Sequence, residues 1–136
     1  MEPIGLTLKG IVAMITAAAL EIFGAWDVAT QALLVIVCLD ILSGLLRAAK
    51  QRRLDSSEMT DGLIKKVLIV VAVGLAHQVG CITDIHILRT GVVLWFCGSE
   101  GLSVVENMAA AGLPVPDVLR NALIQLRRDK MIPSDE

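Results

Sequence analysis

Four long apolar segments constrain this sequence more than any other feature. They run over residues 10–26, 28–46, 67–83 and 85–105, and almost all of the charged residues lie outside them. At about 1.5 Å of rise per residue, helices of these lengths span roughly 25 to 32 Å, which matches the hydrocarbon core of a bilayer. The sequence therefore predicts an all-α integral membrane protein with four transmembrane helices.

Three alternatives to four spans stay open from the sequence alone. Glu21 and Asp27 weaken the first segment, so that it could lie in the membrane interface and leave three spans. A soluble helical core is the second alternative, because two of the segments are short for a bilayer. The third is a secretory signal, since Lys9 precedes an apolar stretch with small residues at 17–19.

The placement of basic residues predicts the topology. Of the twelve Lys and Arg residues, six lie in the connection 47–66, four follow residue 116, and only Arg89 falls on the opposite side. The positive-inside rule then puts both termini and the basic loop 47–66 in the cytoplasm. We expect a transmembrane domain over 1–112 and a cytoplasmic tail over 113–136. Six basic residues are expected to fix topology and contact anionic lipid: Arg47, Lys50, Arg52, Arg53, Lys65 and Lys66.

A short amphipathic helix is predicted in the tail. Gly112, Pro114 and Pro116 break the fourth helix near Ala111. Apolar residues then recur at helical spacing between basic and amide side chains, so this helix could lie on the membrane or pack on a neighbour. The apolar positions are Val118, Leu119, Ala122, Leu123 and Leu126.

Polar residues inside the apolar segments fall on single helical faces. Asp40, Ser43 and Gly44 share one face of the second segment, and Glu100, Ser103 and Asn107 share one face of the fourth. A charged side chain facing lipid would cost on the order of 2.5 to 3.5 kcal/mol. These faces must therefore contact protein or water.

The composition argues against several functional classes. A net charge of -2 leaves no basic surface of the kind that nucleic-acid binding needs. Cys38, Cys81 and Cys97 are widely spaced in apolar sequence, and no Cys or His spacing indicates zinc. No nucleophile elbow, HExxH motif or phosphate-binding loop is present. We therefore expect no enzyme activity, no cofactor and no metal.

Three ordered motifs carry a resemblance to a known family. CLDILSGLLRAAKQRRLDSS (38–57) resembles an Asp-x-x-x-Gly-x-x-x-Ala helix end followed by basic residues and paired serines. DGLIKKVLIVVAV (61–73) resembles a Gly-x-x-x-Lys entry to the next span. SEGLSVVENMAAAGLPVPDVL (99–119) resembles a Glu-Gly-x-Ser-x-x-Glu-Asn signature followed by Gly-x-Pro-x-Pro. The chain is thus similar to the phage holin family that includes the clostridial toxin-secretion holins.

The resemblance implies a protein of the bacterial inner membrane that oligomerises and opens lesions, through which a phage endolysin reaches the cell wall. It implies that the direct partners are further copies of the chain and membrane lipid. An endolysin is the functional partner without direct contact, and an antiholin is a further candidate partner. The residues expected to support assembly or line a pore are Asp40, Ser43, Gly44, Glu100, Ser103, Glu106 and Asn107.

Two other functions fit the same composition. A small proton-coupled transporter would use an acid within a span as its coupling site, and Glu21 is the candidate. A regulatory partner such as an antiholin would restrain a separate pore former and would be harmless when expressed alone.

Overall fold

The computed structural model describes residues 3–128, and it is built from five α-helices. They are α1 (Pro3–Phe23), α2 (Val28–Lys50), α3 (Ser56–Thr83), α4 (Ile87–Ala110) and α5 (Asp117–Arg128). The described residues contain no strand. The all-α class is therefore confirmed, and so is a short helix in the tail.

Helix α4 lies at the centre of the fold. It packs against α2, α3 and α5, whereas α1 packs against α3. The core is small and lies where α2, α3 and α4 meet, and its buried members are Leu33, Ile69, Val73, Val93 and Cys97. Most large apolar side chains of α1, α2 and α3 instead face outward. A continuous apolar exterior of this kind marks a surface that contacts lipid or another protein.

Two of the helices, α2 and α3, are long and apolar enough to cross a membrane. This finding supports a membrane protein. The assignment of α1 and α4 as two further spans stays a prediction.

The basic connection predicted over 47–66 is mostly helical. Helix α2 continues to Lys50 and α3 begins at Ser56, so only residues 51–55 connect them. The early start of α3 follows from Asp55, whose carboxylate accepts a hydrogen bond from the Ser57 amide at 2.8 Å. Such a cap satisfies one of the free N–H groups of the first turn.

The fourth helix ends where the sequence predicts. Its last residue is Ala110, and Gly112 follows with a φ of +90°. This left-handed conformation has no steric cost for glycine, and it turns the chain toward α5.

Arg89, expected on the side opposite the basic connection 47–66, is buried. It lies in the first turn of α4 and is only 7% exposed, because its guanidinium donates to the Asp27 carboxylate and, at 2.7 Å, to the Thr30 hydroxyl. Asp27 also caps α2, accepting from the Thr30 amide at 2.9 Å. Together these three residues tie the start of α2 to the start of α4.

Helix α1 is attached near its C-terminus. The Phe23 ring lies over Gly74 of α3, where an added Cβ would come within 3.1 Å of it. The Gln78 amide donates to the Glu21 carbonyl oxygen at 3.0 Å. Gln78 therefore binds a carbonyl that the end of α1 would otherwise leave without a helical partner.

Replacing Asp27 tests the link between α2 and α4. We expect Asp27→Ala to lower the free energy of unfolding by more than the roughly 1 to 2 kcal/mol of a lost helix cap, because it also leaves the buried Arg89 guanidinium without its carboxylate partner. Asp27→Asn keeps a capping side chain and should cost less. Thermal unfolding in detergent, followed by circular dichroism, measures both variants, and equal losses would contradict the capping role.

The stabilisation that Asp27 provides should also depend on pH. The hydrogen bond from the Thr30 amide, aided by the Thr30 hydroxyl and Arg89, holds the pKa of Asp27 below its ordinary value of 3.8. A lowered pKa in the folded state stabilises the fold above the unfolded-state pKa, and this contribution is lost as the pH falls through the folded-state pKa. The stability difference between wild type and Asp27→Ala should thus be constant near neutral pH and shrink below about pH 4.

Candidate functional site

A buried ion cluster joins the three central helices. Lys66 of α3 donates from its ammonium group to the Asp40 carboxylate of α2, at 2.5 Å, and to the Glu100 carboxylate of α4. The three side chains are only 15%, 11% and 13% exposed, respectively. One ammonium group therefore bridges two acids from two other helices inside the protein.

Asn107 extends this cluster along α4. Its amide nitrogen donates to Asp40 Oδ1 and to Ser43 Oγ, both at 3.1 Å. The Ser43 hydroxyl in turn donates to the Asp40 carbonyl oxygen at 3.1 Å. Gly44 lies beside this contact, and a Cβ there would sit at an ordinary van der Waals distance of 3.5 Å from the Asn107 amide nitrogen. We call Asp40, Ser43, Lys66, Glu100 and Asn107 the ion cluster.

The depth of the ion cluster explains why it has to be paired. Asp40 and Glu100 lie near the midpoints of α2 and α4, far from the helix ends where a side chain could reach water. An unpaired charge buried between helices costs several kcal/mol, whereas an ion pair with further hydrogen bonds offsets much of that cost.

A charged cavity opens from the ion cluster toward the helix ends near residues 50, 56 and 110. It has a volume of about 710 Å³, and its wall includes Ser103, the exposed Glu106, and Arg127 of α5. Further charged residues in the wall are Arg47, Arg53, Asp55, Glu58, Asp61 and Lys65. Such a lining holds water readily, so the cavity gives the buried acids a polar route to the surface.

The predicted assembly residues are brought together within one chain. Asp40, Ser43, Gly44, Glu100 and Asn107 meet at the ion cluster, while Ser103 and Glu106 line the adjoining cavity. The polar side chains of Asp40, Ser43, Glu100 and Asn107 are satisfied by hydrogen bonds within the same molecule. Whether they also line a pore stays a prediction.

Lys66 does not have the lipid-facing position that its place among the basic residues indicated. It lies inside the bundle, because it shares a helical face with the buried Ile69 and Val73, whereas Lys65 points outward. That spacing of three and seven residues is the signal that distinguishes the two lysines. The nearby Lys50, Arg52 and Arg53 are exposed as expected, and Lys50 donates to the Ala111 carbonyl oxygen. Arg47 is half-buried.

The geometry suits a structural or assembly role. The cluster holds charges in place by mutual pairing, and within residues 3–128 no group of His, Cys, Asp and Glu side chains is placed to hold a metal ion. The carboxylates of this arrangement can change partners. Each could pair with another cation or with water if the helices moved apart.

Comparison with known proteins identifies the family. The model of the bacteriophage holin family matches residues 17–128, which include the whole ion cluster and α5. The chain belongs to the bacteriophage holin family. The resemblance carried by the three sequence motifs is therefore confirmed. No solved structure matches this holin-family chain significantly.

Relatives of this holin-family chain come from bacteria and from a phage. It is 38% identical over 111 residues to the "Uncharacterized 14.9 kDa protein in nagH 3'region" of Clostridium perfringens, covering 80% of this chain and 84% of the relative. It is 32% identical over 130 residues to the "Uncharacterized protein BH0965" of Halalkalibacterium halodurans, covering 90% and 96%. It is also 32% identical over 98 residues to the "Probable holin" of Bacillus phage phi105, covering 71% and 73%.

Removing the bridging ammonium group tests the ion cluster. Lys66→Met leaves two carboxylates buried without a counter-ion, so we expect it to lower the free energy of unfolding by about 3 to 5 kcal/mol. Lys65→Met, at the exposed neighbouring position, should change it by less than about 0.5 kcal/mol. Denaturant unfolding in mixed micelles measures both.

A neutral version of the cluster separates charge from shape. Combining Lys66→Met with Asp40→Asn and Glu100→Gln removes all three charges, and we expect it to recover a large part of the lost stability. A combined variant no more stable than Lys66→Met would contradict the proposed pairing.

Proposed function

We propose that this protein is a holin that oligomerises in the bacterial inner membrane and forms lesions through which a phage endolysin reaches the cell wall. The observation that carries the proposal is the family match over residues 17–128, which is supported by a relative from a phage named as a probable holin. The apolar exterior of α2 and α3 supports a location in the membrane.

We propose that α1 to α4 all cross the membrane, with both termini and the 51–55 connection in the cytoplasm. Exposed basic residues Lys50, Arg52 and Arg53 cluster at that end, as the positive-inside rule requires. Arg89 at the other end is neutralised by Asp27, so it opposes this orientation only weakly. The transmembrane domain is then 1–112 and the cytoplasmic tail 113–136, of which 129–136 lie outside the described residues.

The ion cluster gives this proposal a physical sequence of events. A single chain pairs its buried acids internally and can accumulate in lipid without exposing charge. As copies assemble, water enters along the charged cavity and α2, α3 and α4 separate. Asp40, Glu100 and Asn107 then face a water-lined opening, where hydration replaces their mutual contacts. Membrane lipid and other copies are the direct partners, and the endolysin passes without binding.

The transporter alternative depends on Glu21. That residue is exposed near the end of α1 and is not part of the ion cluster, and Gln78 binds its backbone carbonyl rather than its carboxylate. This position does not favour a proton-coupling role.

Inducible expression in a bacterium tests the proposed function. Membrane potential and release of a folded cytoplasmic reporter enzyme should be followed with and without a co-expressed endolysin. We expect abrupt depolarisation and reporter release, with lysis only when endolysin is present. Depolarisation without reporter release would indicate a small pore, and an unaffected cell would indicate a regulatory partner; either result contradicts the proposal.

Substitution of Glu100 should change the time of lysis. Glu100→Gln keeps the shape of the side chain but weakens its hold on Lys66, and we expect lysis to shift by a measurable interval at equal membrane levels. Glu21→Gln is the matched control, because Glu21 is exposed and lies outside both the ion cluster and the charged cavity. Unchanged timing for Glu100→Gln would count against a role of the ion cluster in lesion formation.

A further inference from the structure

An apolar groove lies between α1, α2 and α3. Its volume is about 580 Å³, within the range of about 300 to 1,000 Å³ that small-molecule sites occupy. Helix α1 packs mainly on α3, and α2 packs mainly on α4, so the space between α1 and α2 stays open. Six of the residues that form its wall are Ala19, Leu20, Leu34, Val37, Val67 and Val70.

The hydroxyl groups in the wall of the apolar groove are already bonded. Thr16 donates to the Val12 carbonyl oxygen at 2.8 Å, and Thr30 donates to the Asp27 carboxylate, also at 2.8 Å. The rest of the wall is almost entirely hydrocarbon. A polar ligand would lose its hydrogen bonds to water there without replacement. The occupant that fits is therefore a hydrocarbon chain.

The apolar groove adjoins the charged cavity, because Leu63 and Lys66 of α3 lie in the walls of both. From this junction the groove follows α3 as far as Val73, a rise of about 15 Å from Leu63. That length is half of a bilayer core of about 30 Å, which is the depth of one leaflet. A one-leaflet hydrocarbon site thus ends at a charged site, as the two parts of a phospholipid require.

The charges around the cavity are held apart from one another. Arg47 is half-buried, and its Nε atom is buried without a hydrogen-bond partner in the part of the chain that the structure describes. Glu58, Asp61 and Lys65 lie in the same wall. Within residues 3–128 none of these four side chains forms an ion pair. A ligand that complements this wall carries both an anionic and a cationic group.

We propose that one molecule of phosphatidylethanolamine binds here, with its headgroup in the charged cavity and an acyl chain in the apolar groove. Its phosphate accepts from the Arg47 guanidinium, and its ammonium group donates to Glu58 and Asp61, both as charge-assisted hydrogen bonds. The chain fills the space between α1 and α2. This inference rests on the membrane location proposed above, and it adds a lipid site that the holin function does not require.

The charges of the wall also select among phospholipids. Phosphatidylglycerol has the phosphate but no cation, so it leaves Glu58 and Asp61 without a partner. Phosphatidylcholine carries a positive charge but no N–H group that could donate to these carboxylates. We therefore expect the purified full-length protein to retain phosphatidylethanolamine about tenfold more than either of the other two lipids. Native mass spectrometry from detergent, with the three lipids present in equal amounts, measures this retention.

Two pairs of substitutions locate the headgroup and the chain. Arg47→Met should lower retention about tenfold, whereas Arg52→Met makes the same change at an exposed position outside the cavity and should not. Ala19→Phe fills the apolar groove and should also lower retention. Ala18→Phe is its matched control, because Ala18 is exposed and lies outside the groove wall. Circular dichroism checks that each variant keeps its helix content.

A soluble competitor distinguishes a lipid from a free phosphate compound. Glycerophosphoethanolamine has the same headgroup without acyl chains, and we expect an equal concentration of it not to displace the lipid. Displacement would overturn the inference, because the groove would then contribute nothing.

Three further outcomes would overturn it. They are equal retention of the three lipids, equal retention by Arg47→Met and Arg52→Met, and equal retention by Ala19→Phe and Ala18→Phe. Retention is measured on purified protein and does not depend on reporter release or lysis in cells. Failure of the lipid site and failure of the holin function are therefore distinguishable.

Discussion

The contact of Lys66 with Asp40 and Glu100 is the interaction on which the rest of the structure depends. It joins α2, α3 and α4 through three side chains that are each at most 15% exposed, and charges buried to this extent have to be paired. The buried apolar core of this chain is small, so packing alone offers little to hold three helices in one arrangement. The pairing requirement supplies that specificity, because any rearrangement that separates these helices leaves a charge without a partner.

This dependence connects stability to function. Within a single chain the cluster pairs the acids of α2 and α4 internally. In the proposed function, water would replace Lys66 as the partner of these acids when the helices separate. A cavity of about 710 Å³ with charged side chains in its wall reaches the cluster from the end bearing the exposed basic residues. The chain therefore holds a polar interior that is closed in one arrangement of its helices, and whose side chains would be satisfied by water in another.

Much of the architecture could be predicted from the sequence, since hydrophobic segments and breaker residues determine where the helices lie. The faces that carry Asp40 and Glu100 were identified from helical periodicity, and the structure brings them together. Contacts between helices could not be predicted in this way. Lys66 was grouped with the basic residues expected to contact lipid, and Arg89 was placed only on the side opposite them, so neither ion pair was predicted. A charged residue near the end of an apolar segment gives the same sequence pattern whether its partner is water or a distant carboxylate. The close contact of α5 with Gly98 depends on how the chain turns after residue 110, which amphipathic spacing does not specify.

Solid-state NMR of the protein in lipid bilayers tests the central claim most directly, through the nitrogen of the Lys66 ammonium group. The account predicts that this nitrogen correlates with the carboxyl carbons of both Asp40 and Glu100 in uniformly labelled chains. It also predicts that these correlations vanish when nitrogen-labelled and carbon-labelled chains are mixed, because the pairing lies within one molecule. A correlation of the Lys66 nitrogen with lipid phosphorus, or carboxyl correlations that persist in the mixed sample, would contradict it.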